Sequence, residues 1–108
     1  MDQPTRWLTP EEIAAYHRDG ALCVRQVMPL AWVERMATAV DRVIAAPGQF
    51  GRYLSQQDLG FTHDVYMYAG EAEFRAFVFE SPAALLVKQL LNAKTVRFFR
   101  SEEHTSEL

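Results

Sequence analysis

With 108 residues, 49% of them hydrophobic, 12% aromatic and 23% charged, the chain has room for one modest core and excludes a disordered, collagenous or coiled-coil protein. Eleven Lys and Arg against 14 Asp and Glu give a formal net charge of -3, which offers no cationic footprint for nucleic acid or an anionic membrane. No apolar stretch approaches the roughly 20 residues of a spanning helix, the opening residues carry no basic-then-apolar leader, and Cys23 stands alone; together these read as a cytoplasmic protein.

Thr9-Pro10-Glu11-Glu12 sets a hydroxyl at a helix N-cap, proline at the first helical position and a glutamate three residues after the cap, the arrangement of a capping box. Ile13 and Tyr16 fall on one face of the predicted helix, and Gly20 is the residue suited to the left-handed stop that ends it. Ala21 to Arg25, apolar and β-branched between that glycine and the Met28-Pro29 turn, predicts a brief strand.

From Pro29 to about Ala46 the apolar residues Leu30, Val33, Met36, Ala37, Val40, Val43 and Ile44 recur at helical spacing, with Glu34, Arg35, Asp41 and Arg42 on the other side. That pattern predicts a long amphipathic helix stopped by Pro47-Gly48. Residues 47 to 63, containing Pro47, Gly48, Gly51, Ser55, Gln56, Gln57 and Gly60, read as a loop longer than compact domains commonly use. Glu71 to Glu80 predicts a helix with Phe74, Phe77 and Val78 on one face, and Ser81-Pro82 restarts a second helix at once. In that second helix Ala83, Leu86, Val87, Leu90 and Leu91 are expected inward, Lys88 and Gln89 outward, with an end near Asn92. Thr95 to Phe99 then alternates as a strand.

The composition shifts abruptly at residues 100-108, which end Ser-Glu-Glu-His-Thr-Ser-Glu-Leu. This string resembles the conceptual translation of a DNA sequencing adaptor and is read as a non-native tail, with Arg100 assignable to either side of the junction. Without it the chain has 10 basic and 11 acidic residues, a net charge of -1. The expectation is therefore residues 1-99 as the N-terminal part of a truncated domain.

Few residues suggest chemistry. His17-Arg18-Asp19 spells an H-x-D pattern, but residues two apart on a helix project about 200° around the axis and cannot converge on one ion. His17 is accordingly read as partly buried and hydrogen-bonded rather than as a ligand. His63-Asp64 follows the long loop and reads as a turn cap beside a solvated histidine. Cys23 is expected to be a small buried hydrophobe. Tyr66 and Tyr68, two apart, could line a pocket from an extended segment or pack in the core with their hydroxyls satisfied. There is no glycine-rich phosphate loop, paired-cysteine zinc spacing or nucleophile elbow.

The run Leu8-Thr9-Pro10-Glu11-Glu12-Ile13-Ala14-Ala15-Tyr16-His17-Arg18-Asp19-Gly20-Ala21-Leu22-Cys23-Val24-Arg25 resembles the opening of the phytanoyl-CoA dioxygenase family. The runs Glu73 to Ala84 and Leu90 to Phe99 are similar to the segment that leads into that family's catalytic barrel. The resemblance spans most of residues 8 to 99 and rests on order, spacing and punctuation, because neither run is a catalytic motif. It implies an Fe(II)- and 2-oxoglutarate-dependent dioxygenase that hydroxylates a small organic substrate, on a two-histidine, one-carboxylate iron site. The fold it implies is α+β, mostly helical as it stands, with the helices from Pro29 and Ser81 as scaffold outside the first strands of a double-stranded β-helix, a jelly-roll relative of the cupins.

In the family the H-x-D pair, the distal histidine and the basic residue for 2-oxoglutarate come after the strand equivalent to Thr95-Phe99. No catalytic, metal or cofactor residue is therefore carried onto this chain, and neither Fe(II) nor 2-oxoglutarate is expected to bind it. Tyr66, Met67 and Tyr68 are carried over only as residues lining the substrate mouth. Two other readings compete. One is a small helical binding or dimerisation module that uses Leu30 to Ile44 as its interface. The other is a helix-turn-helix DNA binder, disfavoured by the charge and by the long loop.

Overall fold

The computed structural model describes residues 1-46, 61-65, 67-100 and 102-106. Its elements in chain order are α1 (Pro10–Asp19), α2 (Leu30–Ala45), β1 (Phe61–Val65), α3 (Met67–Gly70), α4 (Ala72–Glu80), α5 (Ala83–Leu91) and β2 (Glu102–Ser106).

Helix α1 begins where the capping box places it. The Glu12 amide donates to Thr9 Oγ1 at 3.1 Å and the Thr9 amide donates to Glu12 Oε1 at 2.9 Å, so two otherwise orphaned donors are satisfied reciprocally. It ends at Gly20, at φ 77°, whose amide returns to the Tyr16 carbonyl at 2.7 Å. Helices α4 and α5 are separated by Ser81 and Pro82, both fully buried. The Ser81 hydroxyl accepts from the Ala83 amide at 3.3 Å, so the serine serves the first turn of α5 although Pro82 occupies the cap position. Asn92, at φ 50°, closes α5 in the left-handed conformation.

Two small cores result. Ala39 and Val43 of α2 pack with Met67 of α3 and Phe74 of α4, with Met36 beside them. Leu8, Val27 and Leu86 form the other, flanked by Ile13, Val24, Met28 and Leu90. Two ion pairs flank the packing of α2 on α4: Arg35 Nε to Glu73 Oε2 at 2.6 Å, and Arg42 Nη2 to Glu71 Oε2 at 3.1 Å, the latter glutamate just before α4.

The mostly helical character is as expected, but the α+β expectation is overturned: among the described residues there is no strand of a double-stranded β-helix. Ala21-Arg25 and Thr95-Phe99 are irregular. A strand needs a neighbour's ladder of hydrogen bonds, and neither segment has one among the described residues. The Arg25 carbonyl instead accepts from the Arg6 guanidinium at 2.7 and 3.2 Å. The strand pairing described is the two-stranded antiparallel ribbon of β1 with β2, which sets His63 across from His104. It takes in the last three residues of the expected 47-63 loop and five of the residues read as a tail; residues 47-60 lie outside the described residues.

Several side-chain expectations are also corrected: on α5, Val87 and Leu91, expected inward, are exposed. Cys23 is exposed, because the segment that would have buried it joins no sheet. Gln89 does not point to solvent: its side chain accepts from the Leu8 amide at 2.8 Å and donates to the Leu8 carbonyl at 3.0 Å. On α2 the inward face is Trp32, Met36, Ala39 and Val43, whereas Leu30, Val33, Ala37, Val40 and Ile44 are exposed. The apolar arc of α2 covers about half its circumference, at 100° per residue. Packing of Trp32, Ala39 and Val43 with Phe77, Phe74 and Met67 turns one edge of that arc toward α3 and α4 and leaves the rest uncovered.

Candidate functional site

The segment singled out as a substrate mouth divides. Tyr66 lies outside the described residues. Met67 is buried in the core with Phe74 and Val43. Tyr68, at the start of α3 and half-buried, meets the Phe98 ring edge-on with centroids 4.7 Å apart, and Phe98 lies 6.2 Å from Phe79. The Arg75 guanidinium stacks over Phe79 at 4.9 Å. These contacts seat the irregular stretch after α5 against α3 and α4. Edge-to-face packing of this kind contributes roughly 0.5 to 1.5 kcal/mol per pair.

The remaining candidates do not converge. His17 is exposed, not partly buried, and rests edge-on to Tyr16 at 5.5 Å. Asp19 is taken up by Arg18, whose Nε and Nη2 donate to its two carboxylate oxygens at 2.9 Å each. His63 and Asp64 stand on β1, far from α1 in sequence. Among the described residues no three His, Cys, Asp or Glu side chains come together as a metal-ligand group. The residues described therefore do not fit Fe(II), and no chemical step through it is derived for this chain.

What the helices do organise is a charged clasp at the start of α1. Arg6 forks onto Glu12, with Nη1 2.8 Å from Oε1 and Nη2 3.1 Å from Oε2. The Arg6 hydrogen bond, with help from the Thr9 amide, holds the Glu12 carboxyl down at about 2. Glu73 is likewise held below the usual carboxylate range by Arg35. Because the Arg6 guanidinium also donates to the carbonyls of Trp7 and Arg25, the clasp joins α1 to the segment before α2. Beside it, Arg6, Val24, Arg25, Met28, Leu30 and Val33 line an open groove. Gln26, at φ 59°, turns the chain there.

That groove runs into the uncovered stripe of α2. Leu30, Val33, Ala37, Val40 and Ile44 repeat at intervals of three, four, three and four residues, and Leu30 is 68% exposed. Their spacing was visible in the sequence; their solvent exposure was not, because periodicity cannot choose between two sides of one wide apolar arc.

Among the described residues no helix is long and apolar enough to cross a membrane. Set against known protein families, curated proteins and solved structures, the chain matches none of them.

Proposed function

We propose that this chain is the N-terminal helical portion of an Fe(II)- and 2-oxoglutarate-dependent dioxygenase of the phytanoyl-CoA dioxygenase family, acting on a small organic substrate in the cytoplasm. The observation that carries the reading is the placement of its punctuation. The two runs that resemble the family coincide with a capped helix closed by a left-handed Gly20, and with a helix pair broken at the buried Ser81-Pro82 and closed by Asn92. On this reading the portion is scaffold. Its helices carry the segment from Thr95 to Phe99 toward the catalytic part, and the aromatic seat of Phe98 on Tyr68 and Phe79 fixes the direction of exit. Iron and cosubstrate belong to residues that follow, and this portion holds neither.

Re-reading the source DNA across the codon for Phe99, from primers well outside the junction, tests the proposal. The expected result is an open frame that continues into an H-x-D pair and a later histidine. The protein encoded by that frame converts 2-oxoglutarate to succinate only with Fe(II). A frame that stops after Leu108, or a stoichiometric iron site measured by calorimetry on the 108-residue chain itself, overturns it.

A further inference from the structure

We draw no further inference here: the strongest candidate, the open groove beside Arg25, Met28 and Val33 at the N-terminal end of α2, runs into that helix's uncovered apolar stripe, and nothing in the structure shows what covers either.

Discussion

Val33 and Val43 are the same residue on the same helix, and they separate the observed packing of α2 from the alternatives its pattern allows. Val43 is 7% exposed in the core with Phe74 and Met67, and Val33 is 49% exposed on the stripe. Truncating either to alanine removes two carbons, worth about 0.8 kcal/mol each when buried. Alanine returns about 0.5 kcal/mol through its better helix propensity at both sites. At Val43 nearly all of the transfer free energy is lost and the cavity adds a contribution, for a net cost of about 2 kcal/mol. At Val33 only half is at stake and no cavity forms, so the net is about 0.3 kcal/mol. Urea unfolding followed by circular dichroism measures both, and an unchanged slope licenses reading the midpoint shift as stability. A cost at Val33 equal to or above that at Val43 would refute the assignment of the inward face.

Further consequences follow from the same contacts. Thr9→Ala removes the acceptor of the capping box and costs about 1 kcal/mol in the same urea assay. Gly20→Ala places a Cβ at φ 77° with open space around it, so its cost of about 1 to 2 kcal/mol is conformational alone, and Gly20→Asn recovers part of it. Gln89→Ala strands the amide and carbonyl of Leu8 near a buried core, a loss of about 2 kcal/mol in thermal or urea unfolding. For Glu12 the folded carboxyl is held down at about 2 against an ordinary value of 4.5. Its contribution is therefore fully present above pH 4.5 and is lost as pH falls toward 2. An acid titration of stability shows that limb in the native chain and a shallower one in Glu12→Gln.

The helices were legible because their signals are local. A capping box, a first-turn proline and a glycine at the stop act within four residues of chain, and α1 is bounded by them on both sides. The break at Ser81-Pro82 and the end at Asn92 were legible for the same reason. The strands were not, since Ala21-Arg25 and Thr95-Phe99 are apolar enough for a sheet yet depend on a neighbour that the local sequence does not specify. The inward face of α2 failed for a third reason. Trp32, Ala39 and Val43 continue the same apolar arc as Leu30, Val33 and Val40, so the choice fell to Phe74 and Phe77, some 30 to 45 residues away, which they pack against. The clasp of Gln89 on Leu8 spans 81 residues, and no periodicity could announce it. Of the residues named from the sequence as lining a substrate mouth, Met67 is in the core and Tyr68 half-buried, and their partners Phe74 and Phe98 came only with the fold.

The two cores share little direct packing, and what couples them is the first eight residues together with the buried turn between α4 and α5. The Asp2 amide donates to the Glu80 carbonyl at 2.7 Å, and its carboxylate accepts the Trp32 indole N–H at 2.8 Å, so one residue ties the end of α4 to the start of α2. Trp32 in turn stacks edge-on to Phe77 at 6.0 Å and carries the Arg35 guanidinium over its ring at 4.3 Å. Further along, the Thr5 amide holds the Val27 carbonyl at 2.8 Å, Arg6 holds Arg25, and Leu8 enters the second core while Gln89 fastens its backbone. Each of these groups would be a solvated, freely rotating terminus in an unstrapped chain. Bound as they are, they make the orientation of α2 on α4 depend on the seating of α1 and α5. Cores this small are individually marginal, so the strap has a disproportionate share in making the helices one cooperative unit. It also holds the outer stripe of α2 at a fixed angle to the groove at Val24 and Met28.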